Sequence, residues 1–205
     1  DPDLAIHPER RRDEYLALVR RVHRAGLRLV IDFVPNHVSR EYHSICCPAG
    51  VTDLGVADDT SLSFSPSNNF YYINKECLHT DHLPVHDYAA SAPEWQEFPA
   101  RATGNDVFHA WPGENDWYET VKLNYGIDYA TGTRHFDPIP DTWLKMTDIL
   151  LFWASTGVDA FRCDMAEMVP VEFWHYAIAR VKEQYPAVEF IAEVYNPELY
   201  RSYIH

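Results

Sequence analysis

The sequence has no long apolar run, few basic residues and no C-x-x-C cysteine pair, and each absence argues against a class of protein. Its longest apolar stretch, residues 149–154, falls far short of the roughly 20 residues that a membrane-spanning helix requires. With 31 acidic against 17 basic residues and a net charge of −14, the chain has no basic stripe that could contact phosphates, which argues against a nucleic-acid partner. The four cysteines form no C-x-x-C pair, so we expect no zinc site built on thiolates.

The first ten residues, DPDLAIHPER, also lack the pattern of a secretory signal peptide. They contain no basic segment followed by an apolar one, and they do not begin with methionine. We therefore predict no signal peptide in this stretch. A mature, a trimmed and an excerpted chain could all begin in this way. The compartment stays open.

Three times the sequence passes from an amphipathic helical segment through a turn residue into a short apolar strand. Apolar residues recur at helical spacing before Gly26, Gly157 and Pro186, which end the three helical segments. The strands that follow are LRLVIDF, VDAFRCD and VEFIAEV. Helix, turn and nearly all-apolar strand are typical of βα repeats with a parallel sheet. The pattern predicts an α/β fold and excludes a β-sandwich.

The segment at 38–139, between the first strand and the second helix, has a different character. It is rich in Pro, Asn, Asp, Ser, Tyr and Trp and shows little periodicity. Connections longer than about 12–15 residues without structure of their own are uncommon. We therefore predict a small inserted domain or a system of functional loops at 38–139, flanked by segments 1–37 and 140–205.

Polar side chains stand at the ends of all three predicted strands. Because the carboxyl ends of parallel strands meet at one rim, where α/β proteins build their active sites, we expect these side chains to lie close together. They are Asp32, Asn36 and His37 after the first strand, Arg162 and Asp164 after the second, and Glu193 after the third.

The pattern predicts two carboxyl groups in different charge states. Arg162 and Asp164 are two residues apart on a strand and point the same way, so the guanidinium can keep the carboxylate ionised. Asp32 can orient Arg162 through a second ion pair. Glu193 has apolar neighbours and no cation beside it in sequence, which predicts a raised pKa. One charged and one protonated carboxyl group are what glycoside hydrolysis requires.

Each of these residues also has a structural interpretation. Arg162 and Asp32 could form an ion pair at a sheet edge, and Asp164 and Glu193 could cap helices. A single His37 is more often a packed histidine than a ligand. The occurrence of polar clusters at three consecutive strand ends favours the functional interpretation.

Two features of the 38–139 segment leave alternatives open. Several aromatic side chains could stack on sugar rings or pack a small core: Tyr71, Tyr72, Trp111, Trp117 and Tyr118. The stretch HTDHLPVHD could bind a metal, although solvated loop histidines are more usual, through His79, Asp81, His82 and His86. We assign no metal ligand.

At the strand ends the chain resembles the α-amylase family of glycoside hydrolases. DFVPNH resembles its D-x-x-x-N-H signature, FRCD resembles x-R-x-D, and IAEV resembles the signature that carries its acid. The resemblance implies part of a (β/α)8 barrel of the TIM type, about strands three to five, with the family's domain B inserted after the first of them. A complete barrel typically needs about 250 residues and the fourth signature lies on strand seven, so we expect a part of a larger protein, inactive by itself.

The resemblance also implies residue roles. Asp164 is then the nucleophile and Glu193 the general acid/base of a retaining cleavage of α-glucosidic bonds in α-glucans or maltooligosaccharides. Arg162 supports the nucleophile, His37 binds the sugar at the cleavage point, and Asp32 and Asn36 shape the rim. A transglycosylase would use the same residues, and a non-catalytic glycan-binding relative is a further alternative.

Three positions depart from the family pattern. Glu167 and Met168 stand where calcium-binding amylases often carry Lys and His, and Lys122 stands in TVKLNYG where an aspartate is common. These residues argue against the usual structural calcium, which is the one cofactor that the sequence leaves open, and they favour short α-glucans over long starch.

Overall fold

The computed structural model describes residues 5–45, 47–83 and 96–203. It divides into two compact units, each with its own packing. The first comprises Asp1–Phe33 and Met146–His205 and contains the parallel sheet; we call it the sheet unit. The second comprises Val34–Lys145, and we call it the inserted unit. Within the described ranges, no helix has the length and apolar character needed to cross a membrane.

Helices and strands alternate in the sheet unit, and short strands follow one another in the inserted unit. The α-helices are α1 (Arg11–Arg24), α2 (Asp141–Ser155), α3 (Val171–Gln184) and α4 (Tyr200–Tyr203), and 3-10 turns cover Pro8–Arg10, Ala166–Met168 and Pro197–Leu199. The strands are β1 (Val30–Phe33), β2 (His37–Ser39), β3 (Tyr72–Ile73), β4 (Ala100–Arg101), β5 (Thr120–Lys122), β6 (Ile127–Asp128), β7 (Thr133–Arg134), β8 (Ala160–Cys163) and β9 (Glu189–Ala192).

The sheet unit is built on a three-stranded parallel sheet in the order β1–β8–β9. The three predicted helix–strand repeats are confirmed as α1–β1, α2–β8 and α3–β9. Gly26 and Gly157 follow α1 and α2 with φ of 72° and 93°, a left-handed conformation that ends a helix and that glycine adopts without strain. Parallel pairing therefore directs the carboxyl ends of all three strands to one edge.

Aromatic side chains fill the core beneath that edge. Phe161 and Phe173 are fully buried, and Phe33 and Trp174 are 5% exposed. The Phe33 ring meets Phe161 and Trp174 edge to face at centroid distances of 6.2 Å each. Burying such a side chain stabilises a fold by roughly 1.5–3 kcal/mol, so these rings fix α3 against the sheet.

In the part of the inserted unit that the structure describes, three short antiparallel pairs are joined by long connections: β2–β5, β3–β4 and β6–β7. The sequence predicts an insertion at 38–139, and the compact unit observed runs from Val34 to Lys145. Strands of two or three residues contribute little by themselves, so side-chain contacts must hold this unit together.

A buried ion-pair cluster supplies such contacts. Glu97 binds Arg40 Nη1 at 2.6 Å through one carboxylate oxygen and Arg101 Nη2 at 2.7 Å through the other. The Arg40 side chain is 4% exposed and that of Glu97 7%. Arg40 also donates to the carbonyls of Tyr118 and Arg101, which ties β4 to the chain ahead of β5.

We expect Glu97→Ala to lower the free energy of unfolding by about 3–5 kcal/mol, because it leaves the buried Arg40 guanidinium unpaired. Urea unfolding of the intact protein, followed by tryptophan fluorescence, measures the change. The control is Glu76→Ala, which removes a carboxylate from an exposed position of the same unit. Equal stabilities of the two variants would contradict the structural role of Glu97.

Candidate active site

The sheet register gathers charged side chains at the carboxyl edge of β1, β8 and β9. Asp32 is the register partner of Arg162 on the adjacent strand. Asp164 directly follows β8, and its N–H donates to the carbonyl of Phe33 at 2.9 Å. Glu193 directly follows β9, and its N–H donates to the carbonyl of Cys163 at 3.0 Å. Backbone hydrogen bonds thus fix both acids at adjacent strand ends.

The Arg162 guanidinium contacts all three carboxylates. Its Nη1 lies 2.8 Å from Asp164 Oδ1 and 3.7 Å from Asp32 Oδ1. Its Nη2 makes a close ion pair with Glu193 Oε1. Since Nη1 and Nη2 belong to one small planar group, the carboxyl groups of Asp164 and Glu193 lie beside each other. The predicted pairing of Arg162 with Asp164 and with Asp32 is confirmed.

The prediction of a raised pKa at Glu193 is wrong. The Met165 N–H donates to Glu193 Oε2 at 3.1 Å, and the Tyr195 hydroxyl donates to Oε1 at 2.8 Å. These two hydrogen bonds, with the Arg162 charge, hold the pKa of Glu193 below its ordinary value despite partial desolvation. The sequence argument considered only the neighbours of Glu193 along β9, whereas Arg162 faces it from β8.

The Met165 backbone is a contributor that the sequence did not reveal. Met165 has φ 46° and ψ 42°, a left-handed conformation that costs a non-glycine residue about 1–2 kcal/mol. In this conformation its N–H points at Glu193 while Asp164 stays at the strand end. Strained backbone beside a pair of acids is typical of functional sites, but no glycine or asparagine marked the position.

Asn36 and His37 belong to the inserted unit, whereas the other four predicted site residues belong to the sheet unit. Asn36 is 1% exposed, and its amide nitrogen lies 2.7 Å from the carbonyl of Gly104 and 3.2 Å from His37 Nδ1. Trp117 packs against the His37 ring at a centroid distance of 5.3 Å. A Cβ on Gly104 would lie 2.9 Å from His37 Cβ, so only glycine permits this approach. Asn36 therefore acts as a buried support for His37.

A buried lysine lies next to Asn36. The Lys122 side chain is 2% exposed, and its Nζ lies 2.6 Å from Asp106 Oδ1 and 2.9 Å from Asn36 Oδ1. Burial lowers the pKa of Lys122, and the charge of Asp106 opposes this shift. The ammonium group thus links β5 to the segment after β1 and to the loop that carries Asp106.

The position between Asn36 and Asp106 does not fit a structural calcium ion. Calcium takes six to eight oxygen ligands, and the oxygens of Asn36 and Asp106 already bind the Lys122 ammonium. Among the described residues, no group of three or more His, Cys, Asp or Glu side chains could hold a metal ion. Of the histidine stretch, His79 stacks on Trp111 at 3.7 Å and His82 lies 2.9 Å from the carbonyl of Pro112, whereas His86 lies outside the described residues.

The five aromatic side chains that the sequence singles out in the inserted unit divide into two groups. Tyr71 and Tyr72 are 4% and 7% exposed, and Tyr71 packs against other aromatic rings, so these two form core. Trp111 is 54% exposed, and Trp117 and Tyr118 are partly exposed. Of these five rings, those of Trp111, Trp117 and Tyr118 keep surface that a sugar could contact.

We expect a calcium chelator to leave the thermal unfolding of the inserted unit unchanged, because an ammonium already fills the position between Asn36 and Asp106. Lys122→Met should instead lower the free energy of unfolding by about 1–3 kcal/mol, since it leaves polar partners unpaired. Calorimetry with and without chelator tests both statements. The matched control is Lys75→Met, at an exposed position. A fall in melting temperature on chelation would contradict this account.

The fold and the site together define an α/β protein with a carboxylate pair and a shared arginine at the carboxyl ends of parallel strands. The sequence model of the α-amylase family, described as the alpha amylase catalytic domain, matches residues 10–197. The chain therefore belongs to the α-amylase family. Its helices and parallel strands are part of the (β/α)8 barrel of that family, as the sequence predicts.

The chain is similar to α-1,4-glucan:maltose-1-phosphate maltosyltransferases. It is 26% identical over 156 residues to the Rhodospirillum rubrum enzyme, covering 76% of this chain and 18% of that enzyme. It is 36% identical over 139 residues to the Burkholderia pseudomallei enzyme, covering 56% and 12% respectively. The chain thus spans less than a fifth of the length of these relatives.

Among solved structures, the chain is similar to the cyclic α-maltosyl-(1→6)-maltose hydrolase of Arthrobacter globiformis. The TM-score is 0.55 at 15% identity, over 90% of this chain and 31% of that one. The chain is also similar to the protein Ttha1563 of Thermus thermophilus, with a TM-score of 0.51 at 17% identity. This match covers 90% of this chain and 29% of that one. At these identities the likeness shows the shared fold.

Proposed function

We propose that the protein containing this chain cleaves α-glucosidic bonds with retention of configuration, using Asp164 as nucleophile and Glu193 as general acid/base. The observation that carries this proposal is the shared guanidinium, which binds Asp164 through Nη1 and Glu193 through Nη2. Retaining glycosidases need two carboxyl groups about 5–5.5 Å apart, one on each side of the scissile bond. Two neighbouring nitrogens of one arginine, each bound to one carboxyl group, are compatible with such a short separation.

Asp164 attacks the anomeric carbon while Glu193 gives its proton to the leaving oxygen. The bond from the anomeric carbon to that oxygen breaks, and a glycosyl ester of Asp164 forms. Glu193, now a carboxylate, takes a proton from the incoming water or sugar hydroxyl, whose oxygen attacks the anomeric carbon. Asp164 then leaves as a carboxylate and both residues regain their initial states.

The remaining site residues have supporting roles in this proposal. Arg162 pairs with Asp164 and orients its carboxylate, and Asp32 contacts Arg162 from the neighbouring strand. His37 binds the sugar at the cleavage point, and Asn36 supports His37 from beneath. The inserted unit corresponds to the family's domain B and contributes exposed aromatic surface to glucan binding. The proposed substrates are α-glucans or maltooligosaccharides.

Transfer to a sugar hydroxyl is the second candidate outcome. The observation that favours it is the similarity to relatives named as maltosyltransferases. The two reactions share the first step and differ in what attacks the glycosyl ester. Product analysis after incubation with maltooligosaccharides separates them, because hydrolysis only shortens the chains whereas transfer also lengthens them.

We expect Asp164→Asn to reduce the turnover of aryl α-glucosides to the assay background, because the amide cannot form the glycosyl ester. Asp148→Asn makes the same change at an exposed position of α2 and should keep wild-type turnover. Circular dichroism of the intact protein checks that both variants fold. A folded Asp164→Asn variant with most of its turnover would refute the nucleophile assignment.

We expect Glu193→Gln to lower kcat for poor leaving groups by roughly 10²–10⁴-fold, since no proton reaches the leaving oxygen. Aryl glucosides with acidic phenols need no such proton, so they should form the glycosyl ester and then stall. Mass spectrometry should find a glycosyl adduct on the peptide that contains Asp164. An equal loss for good and poor leaving groups would contradict the acid role.

The lowered pKa of Glu193 gives an expected pH dependence. The first step needs Glu193 protonated, so activity falls as pH rises through its pKa. Because kcat/KM reports the free enzyme and kcat the substrate complex, the alkaline limb of kcat/KM should lie at lower pH than that of kcat. Substrate displaces water from the carboxyl group and thereby raises its pKa. Parallel pH profiles of the two constants measure this, and coincident limbs would contradict it.

A further inference from the structure

The loop after β9 is held by a carboxylate from a different part of the sheet unit. Glu167, in the 3-10 turn Ala166–Met168, accepts two consecutive backbone N–H groups on its Oε2. These are the N–H of Tyr195 at 3.1 Å and that of Asn196 at 2.9 Å. A charged acceptor makes such bonds stronger than those between neutral groups, so the backbone at residue 195 has a defined position.

The turn that carries Glu167 is itself anchored. The Tyr203 hydroxyl lies 3.3 Å from the Glu167 carbonyl and 2.9 Å from the Val169 carbonyl. The Ala166 N–H donates to the carbonyl of Glu193 at 3.0 Å, which joins the turn directly to the residue after β9. The backbone that carries the Glu167 side chain is therefore fixed on both sides of the turn.

The side chain of the held residue reaches back to Glu193. The Tyr195 hydroxyl donates to Glu193 Oε1 at 2.8 Å, although the Tyr195 residue as a whole is 65% exposed. An exposed tyrosine that keeps such a contact loses both backbone and side-chain freedom, and a backbone that is already fixed removes the first of these two entropy costs. Glu167 provides that fixation.

We propose that Tyr195 is a positioning residue for Glu193 and that Glu167 acts through it by holding the loop of residues 194–196. This inference rests on the proposed function, because it assigns the Tyr195 hydroxyl to the acid/base of that reaction. The hydroxyl donates to Oε1 and the Met165 N–H to Oε2, so the two bonds fix the plane of the carboxyl group. A fixed plane determines which oxygen can carry the proton towards the leaving group.

The Tyr195 hydroxyl bond also favours the ionised form of Glu193. The charged and titratable groups that face Glu193 are Arg162, Asp164 and Tyr195, and Arg162 also contacts Asp32. Removing the hydroxyl withdraws a donor from the carboxylate and leaves the surrounding charges unchanged. The pKa of Glu193 should therefore rise, and the protonated acid should persist to higher pH.

The first test is Tyr195→Phe in the intact protein. We expect the alkaline limb of kcat/KM to move up by about half a unit to one unit of pH, as expected for losing one exposed hydrogen bond to a charge. Tyr200→Phe is the matched control, since it removes a hydroxyl from the nearby helix α4. Its profile should match wild type.

A second readout does not depend on activity. Carbon-13 NMR of carboxyl-labelled glutamate, with Glu193→Gln used to assign the signal, follows the titration of Glu193 directly. We expect the Glu193 signal of Tyr195→Phe to titrate at higher pH than in wild type. An unchanged titration in a folded variant would overturn the proposal even if the variant had no activity.

The second test separates the anchoring by Glu167 from its charge. Glu167→Gln and Glu167→Ala both remove the negative charge, but only Gln keeps an oxygen that can accept the two N–H groups. We expect Glu193 to titrate at higher pH in Glu167→Ala than in Glu167→Gln, because only the Ala variant releases Tyr195. In a Tyr195→Phe background this difference should disappear. If it persisted, Glu167 would not act through Tyr195.

The outcomes separate this inference from the proposed function. Full turnover in Asp164→Asn would refute the function, and the inference would fail with it. Loss of turnover in Asp164→Asn together with an unchanged Glu193 titration in Tyr195→Phe would refute only the positioning role. If Glu193 titrated equally in Glu167→Gln and Glu167→Ala, the anchoring role of Glu167 would be refuted. The role of Tyr195 would then be decided by the first test alone.

Discussion

The site depends on one arginine that the sheet register places among three carboxylates. Arg162 stands opposite Asp32 on β1 and Ile191 on β9, and Glu193 follows two residues after Ile191 on the same face. Without the guanidinium, the carboxylates of Asp164 and Glu193 would repel each other. With it, both can be anionic at the same strand edge. The two carboxyl groups can thus lie together because the Arg162 guanidinium, on β8, contacts both.

The parts of the site that the sequence predicted are those that follow from strand periodicity. Parallel βα repeats place strand ends at one edge whatever the loops do, so Asp32, Arg162, Asp164 and Glu193 could be expected there. The pKa of Glu193 could not be predicted, because it depends on the left-handed backbone at Met165 and on the Tyr195 hydroxyl. Neither has a local sequence signal: a methionine seldom adopts positive φ, and a tyrosine two residues beyond an acid can point anywhere.

The inserted unit is held together by buried cations, each paired with an acid. Lys122 binds Asp106, and Arg40 shares Glu97 with Arg101. Removing one partner of such a pair is costly, so each pair constrains the chain segments that carry it. This explains how strands of two or three residues keep a defined arrangement around Asn36 and His37. The sequence showed Lys122 as a departure from the family pattern, but not that its ammonium would occupy the space between two oxygens.

Under the proposed mechanism, the shared arginine also couples the two reaction steps. In the first step the Asp164 carboxylate pairs with Arg162, so the guanidinium stabilises a charge on Glu193 less strongly. Glu193 can then carry a proton once substrate has displaced water from its carboxyl group. When Asp164 becomes a glycosyl ester it loses its charge, and the guanidinium then pairs with Glu193. That change lowers the pKa of Glu193 when it must act as a base, and the donors from Met165 and Tyr195 act in the same direction. The unliganded site therefore favours the second step, and the first depends on substrate binding to raise the pKa of Glu193.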